Sequence, residues 1–159
     1  MINARAETAA EKPSFRRAFR SQRCLVPASG FYEWAKTPQG RVPYLFRLAD
    51  QPPFALAGLW DRWHGSDGEE LDSYTILTCA ANGLLARVHE RMPCILERED
   101  EAAWLDPDLH EPEAVRALLQ PYPAVAMEGY PVSAEVNSPA HDDPELLVTV
   151  GTPLEPVGA

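Results

Sequence analysis

Cysteine is scarce in this chain of 159 residues: Cys24, Cys79 and Cys94 are the only three. An odd number with no C-x-x-C pair argues against a disulfide framework, and no cysteine or histidine pair has metal-ligand spacing, so no metal is expected. Each cysteine sits in an apolar run, where a reduced and buried thiol is the expectation. Long hydrophobic runs are missing as well. None approaches the roughly 20 residues that span a bilayer, and no apolar signal segment follows Met1, so the sequence predicts a cytoplasmic protein with no membrane partner. No segment repeats at a fixed period, which excludes a solenoid.

Positive charge is the other shortage, since the formal net charge is −10. A protein that binds nucleic acid by bulk electrostatics is thereby excluded, but the distribution is lopsided. Residues 1–24 hold six basic groups (Arg5, Lys12, Arg16, Arg17, Arg20, Arg23) against Glu7 and Glu11, giving +4 and leaving −14 for the remainder. Within them, Lys12-Pro13-Ser14-Phe15-Arg16-Arg17-Ala18-Phe19-Arg20 reads in two ways. Its aromatics and cations suit a nucleic-acid backbone track; equally, it suits an amphipathic helical turn that buries Phe15 and Phe19 at i, i+4 and solvates the arginines.

A hydrophobic share of 45% is enough at this length for one packed core, so a single domain over 1–152 is expected, with a frayed tail over 153–159. Runs at 24–26, 31–35, 44–48, 54–60 and 74–80 are rich in strand formers and separated by turn residues such as Thr37-Pro38-Gln39-Gly40, which predicts strands and a hairpin onto the strand that carries Glu33. Asn82 is placed to cap a short helix bearing Leu84, Leu85 and Val88, over before Pro93. Segments 99–105 and 111–119 open with acidic residues and read as helices, and the apolar run 146–150 is expected to close a sheet.

Three polar constellations stand in apolar surroundings: Asn3-Ala4-Arg5-Ala6-Glu7-Thr8, Gly30-Phe31-Tyr32-Glu33-Trp34 and His89-Glu90-Arg91-Met92-Pro93. They supply an amide, a carboxylate, an imidazole and two guanidiniums, the parts needed for proton transfer beside a bound anion. In an extended segment Asn3, Arg5 and Glu7 share one face; an exposed polar strand edge would give the same alternation. Glu33 lies among aromatics, and desolvation raises a carboxyl pKa toward the range useful for acid–base work. His89 ends the predicted short helix with Arg91 just beyond, so a proton mover and a phosphate holder stand together; a lone histidine on such a face is also common as a structural residue. Neither Cys79 nor Cys94 has the basic or helix-start setting that would activate a thiol.

These runs resemble the SOS response-associated peptidase (SRAP) family, the abasic-site processing proteins. Besides the asparagine and His-Glu-Arg-Met-Pro motifs, the resemblance rests on Arg23-Cys24-Leu25-Val26-Pro27-Ala28-Ser29-Gly30-Phe31-Tyr32-Glu33-Trp34 and Thr78-Cys79-Ala80-Ala81-Asn82, with an echo at Pro131-Val132-Ser133 and Val136-Asn137. It implies an α+β fold, mostly β and barrel-like with short peripheral helices, and a monomer without cofactor that binds single-stranded DNA at abasic sites in the SOS or DNA damage response. In the family an N-terminal cysteine, exposed when the initiator methionine leaves, captures the sugar aldehyde through its amine and locks it as a thiazolidine with its thiol. By motif, Asn3, Glu33 and His89 would serve the chemistry, and Arg5, Trp34, Thr78 and Arg91 the DNA.

Position 2 is Ile2 where the family places its cysteine, and the chain opens at the asparagine motif, so the expectation is a chain lacking the family's N-terminal segment and nucleophile. Whether it is an enzyme is left open. The readings are an abasic-site processing protein, a catalytically silent binder of single-stranded DNA, and a peptidase limited to self-processing.

Overall fold

Strands dominate, joined by short helices, and the fold class is the α+β class predicted. The structure, a computed structural model, describes residues 2–50 and 53–156. They group into two compact units, each assembled from separated stretches of chain: the first from residues up to Pro27, Phe54–Cys79 and Pro93–Tyr122, the second from Ala28–Pro53, Ala80–Met92 and the chain from Pro123 onward.

The strands of the chain are β1 (Asn3–Arg5), β2 (Arg23–Ala28), β3 (Phe31–Thr37), β4 (Gly40–Leu48), β5 (Phe54–His64), β6 (Glu70–Ala80), β7 (Arg91–Pro93), β8 (Ile95–Leu96) and β9 (Met127–Pro131). In the first unit the sheet runs in the order β1-β6-β5-β2, with β8 added to β5. The first half of β5 is buried throughout and its second half exposed. This apolar-to-polar change carries β5 and β6 from the core into a hairpin arm, pinned by Arg62 on Asp72 and Glu70. β1 pairs in parallel with β6, setting Asn3 beside Ile76, Ala4 beside Leu77 and Arg5 beside Thr78.

Four short α-helices lie among the described residues: α1 (Ala6–Ala9), α2 (Arg16–Ser21), α3 (Glu101–Leu105) and α4 (Pro112–Ala117). Helices this short do not hold by propensity and depend on what they bury. α2 buries Ala18 and Phe19, with Phe15 just ahead of it, and Phe19 meets the edge of Trp104 on α3, ring centres 6.5 Å apart. The amphipathic alternative for 12–20 is therefore the one adopted. Below it, Arg23 donates hydrogen bonds to the carbonyls of Phe19, Arg20, Trp104 and Asp106, and Trp104 Nε1 donates to the Cys24 carbonyl at 2.9 Å. Glu7, read as part of an extended segment, belongs to α1. The strand ends at Arg5, since Ala6 and Ala9 turn inward as the buried side of a single helical turn.

The second unit has a three-stranded antiparallel sheet in the order β3-β4-β9. The β3–β4 turn is the predicted hairpin, with Thr37 opposite Gly40. Gly40 has φ +127°, a conformation that disfavours side chains. Pairs count back from it to Trp34 opposite Pro43, Glu33 opposite Tyr44 and Phe31 opposite Phe46. On β9, Gly129 faces Phe46, and a Cβ there would lie 2.5 Å from the ring. Gly129→Ala is accordingly expected to cost about 1–3 kcal/mol in chemical denaturation, as overpacking does; an unchanged midpoint would mean that the Phe46 ring swings aside freely.

Asn82 caps as predicted, its Oδ1 accepting from the amides of Leu84 and Leu85, and the turn it starts is a 3₁₀ helix over Leu85–Arg87. The run 146–150 differs from expectation: it opens in a 3₁₀ turn, Pro144–Leu147, and only a single bridge joins Thr149 to Val132. Pro144 starts that turn, so too little extended chain remains for a strand. In the tail, the Leu154 amide donates to the Gly129 carbonyl at 2.7 Å, whereas 157–159 lie outside the described residues.

Candidate functional site

Strand alternation decides what accompanies Glu33. Phe31 and Glu33 on β3 share a face with Tyr44 and Phe46 on β4. Phe31 and Phe46 stack at 5.7 Å with planes 21° apart, and Tyr44 tilts against Phe46 at 6.5 Å. The carboxyl of Glu33 thus rises from an aromatic floor. Burial there pushes its pKa above the ordinary carboxyl value, while the charge of His89 and a hydrogen bond from the Trp34 amide pull it part of the way back. The desolvation predicted from the sequence is present and is the largest of the three effects.

His89 is held by backbone on both sides of its proton equilibrium. The Arg91 amide donates to Nδ1 at 3.1 Å, and the Arg91 carbonyl lies 3.1 Å from the same nitrogen. A neutral ring that accepts from the amide carries its proton on Nε2; an imidazolium can instead donate Nδ1–H to the carbonyl. Either state keeps its orientation, and the ring is exposed. The backbone of His89 is fixed in turn, its amide donating to the Leu85 carbonyl at 2.9 Å. A carboxyl that holds its proton unusually well and an imidazole anchored in both protonation states make a competent acid–base pair.

Trp34 belongs to the other face of β3. Its Nε1 donates to Asn137 Oδ1 at 2.7 Å and its ring tilts at 6.4 Å against Tyr32, which itself packs on a cluster of Leu45, Tyr130 and Val132. The structure therefore brings Glu33 within electrostatic reach of His89, whose ring the Arg91 backbone holds, but turns Trp34 away from Glu33. In the first unit, the β1–β6 register sets Asn3, Arg5, Ile76 and Thr78 on one face. Asn3 and Arg5 are exposed, and the Thr78 hydroxyl donates to the Ala4 carbonyl at 3.3 Å.

Tyr44 and Phe46, which shape the setting of Glu33, escaped the sequence reading. The two-residue turn between Thr37 and Gly40 contains the signal: counting four pairs back from it puts Tyr44 opposite Glu33. None of the cysteines is in an activating environment. Cys79 and Cys94 are buried, and burial pushes the Cys24 thiol up, away from the thiolate a nucleophile needs. Among the described residues no group of three or more His, Cys, Asp or Glu is placed to hold a metal ion, and no helix is long and apolar enough to cross a membrane.

Residues 1–139 match the sequence profile of the SOS response associated peptidase (SRAP) family, and the chain belongs to that family. It is 47% identical over 148 residues to the abasic site processing protein YoqW of Bacillus subtilis, a match that covers 92% of this chain and 66% of that protein. With the abasic site processing protein HMCES of Gallus gallus it shares 32% identity over 177 residues, 96% of this chain and 52% of the relative. Among solved structures, a protein from Bacteroides thetaiotaomicron has TM-score 0.87 at 35% identity, over 92% of this chain and 65% of that one. Another, from Bordetella bronchiseptica, has TM-score 0.74 at 37% identity, over 82% and 64%. The chain thus spans just under two thirds of YoqW and about half of HMCES.

Proposed function

We propose that this chain provides the DNA-holding and proton-transfer part of an abasic-site processing protein, acting on single-stranded DNA. The observation that carries the reading is the raised pKa of Glu33 beside His89. An abasic sugar is mostly a closed hemiacetal. Opening it to the reactive aldehyde requires a proton delivered to the ring oxygen and another removed from the C1′ hydroxyl. A carboxyl that is protonated more often than usual suits the first transfer, and His89, in the neutral tautomer that donates Nδ1–H to the Arg91 carbonyl and leaves Nε2 free to accept a proton, suits the second or the proton exchanges at a departing phosphate. When an amine adds to the aldehyde, the carbinolamine loses water with help from the same acid, and a thiol then closes the ring on the imine carbon. Arg91 and Arg5 are assigned to backbone phosphates, Thr78 to a polar backbone contact, Asn3 to positioning the sugar, and Trp34 to stacking.

A thiazolidine needs an α-amine and a thiol on one residue, which none of the three internal cysteines offers. The 159-residue chain is therefore expected to bind abasic single strands more tightly than intact ones without forming a denaturation-resistant adduct. Joined at its N-terminus to the family's cysteine-bearing segment, it should form one without borohydride. Equal affinity for the two strands would refute the reading. Preferential binding with no adduct from the extended chain would make the protein a silent lesion binder. In the same titrations, Arg5→Ala and Arg91→Ala should each flatten the log–log salt dependence by about 0.7, the single-strand value per phosphate contact; unchanged slopes would remove both from the DNA.

A further inference from the structure

The basic segment 12–20 lies outside the acid–base site, and its arginines have a definite arrangement in the first unit. With Phe15 and Phe19 buried, at 8% and 1% exposure, α2 is anchored on its apolar side and turns Arg16, Arg17 and Arg20 toward a concavity of about 690 Å³. Ala10, Ser21, His110 and Pro112 complete its lining. Arg17 is engaged with Asp61. Arg16 and Arg20 are exposed, and among the described residues neither makes an ion pair. Elsewhere the exposed guanidiniums of Arg47 and Arg62 are matched by carboxylates. Arg41 and Arg98 are exposed without ion pairs too, but among the described residues only here do two such guanidiniums line one hollow, in a chain of net charge −10.

We infer that this hollow between α2 and the start of α4 is a lesion-independent contact site for the phosphate backbone of a nucleic-acid strand. Arg16 and Arg20 stand one helical turn apart, about 6 Å along the axis, close to the spacing of consecutive phosphates on a strand. Guanidiniums present paired N–H donors that match phosphate oxygens, and a basic hollow focuses potential on a polyanion that the acidic remainder repels. The volume is larger than one phosphate needs, which fits a strand passing through. Phe15 and Phe19, the aromatics of the same segment, are buried and so not available for base stacking, which leaves the guanidiniums to contact the backbone irrespective of base identity. Ala10 is five residues from Arg5, at the far end of α1, a chain distance of no more than about 17 Å. The inference extends the proposed function to undamaged nucleotides of the same kind of ligand, and its failure is separable from failure of that reading.

The test is a fluorescence-anisotropy titration of the chain between 50 and 200 mM salt, in about four steps that span the range where phosphate contacts weaken strongly. Two labelled single strands are used, one intact and one with a central abasic site. Arg16→Ala/Arg20→Ala should flatten the log–log salt slope by about 1.4, two contacts at about 0.7 each, equally for both strands. The ratio of their affinities, which reports lesion recognition, should stay unchanged. Arg98→Ala removes the same kind of charge from the exposed loop after β8 and should leave the slope alone. An unchanged slope in the double variant overturns the inference, as does an equal change in Arg98→Ala, which would make the effect one of bulk charge. Loss of the affinity ratio would merge the hollow with the lesion site and also overturn it. Competition by polyglutamate as effective as that by unlabelled single strand, charge for charge, would reassign the hollow to acidic proteins.

Discussion

Glu33→Gln is expected to slow adduct formation by the N-terminally extended chain by about 10²–10⁴-fold, the range a positioned acid or base contributes, and at the same time to raise the melting temperature at neutral pH. Both effects come from the aromatic floor of Phe31, Tyr44 and Phe46. Burial raises the Glu33 pKa in the folded protein, so the folded state holds this proton more tightly than the unfolded chain does. The stabilisation that results is complete below the ordinary carboxyl pKa of about 4.3 and is lost as pH rises through the elevated folded value. Above that folded value the wild type has an anion where the site favours a neutral group, and glutamine removes that conflict. The gain in melting temperature should shrink toward zero as pH falls to about 4. A gain that does not vary with pH would point to altered packing instead, and a variant that reacts at the wild-type rate would remove Glu33 from the chemistry. His89→Ala tests the coupling. With that charge gone, the Glu33 pKa should climb further, and the alkaline limb of the pH–rate profile, where the acid loses its proton, should move to higher pH.

Arg23→Ala should bring the largest loss of stability, about 3–5 kcal/mol, a large share of the roughly 5–15 that holds a domain together. The guanidinium is 8% exposed and lies 5.6 Å from the centre of the Trp104 ring. Its donors meet four carbonyls, two at the end of α2 and two at the end of α3. Removing it leaves these acceptors buried and short of partners. Burial lowers the Arg23 pKa and Asp106 offsets part of that effect, but a guanidinium remains charged throughout the working range. Arg23→Lys should recover less than half of the loss, because a single ammonium cannot span the two helix ends. Equilibrium urea denaturation measures both; a loss below about 1 kcal/mol for Arg23→Ala would mean that the carbonyls find water.

The strands were legible because β2 to β6 alternate or run apolar between recognisable turns, and the hairpin at Thr37–Gly40 even dictated its own register. Pairing between distant segments was not legible. Nothing local to Asn3–Arg5 announces that it lies parallel to β6, and that choice depends on burying Ala4 beside Leu77. Glu7 was misplaced because alternation of buried and exposed residues continues from β1 into the first turn of α1, where a strand and a helix give the same local pattern. For the acid–base pair the residue types and the desolvation of Glu33 could be read in advance. The double anchoring of His89 by the Arg91 backbone could not, since main-chain atoms leave no trace in side-chain identity.

Adjacent positions on β3 place an acid on one side of a thin sheet and an indole, tied to Asn137, on the other, and the two-residue loop that leads into Gly40 sets the register of that assignment. Heritable change in this loop is therefore read by parity. An even shift of pairing would return a carboxyl side to its own face one step along, whereas an odd shift would exchange Glu33 for Trp34 over the aromatic floor without altering either residue. A one-step register slip seeded in this loop would thus abolish the chemistry while leaving every residue that performs it unchanged.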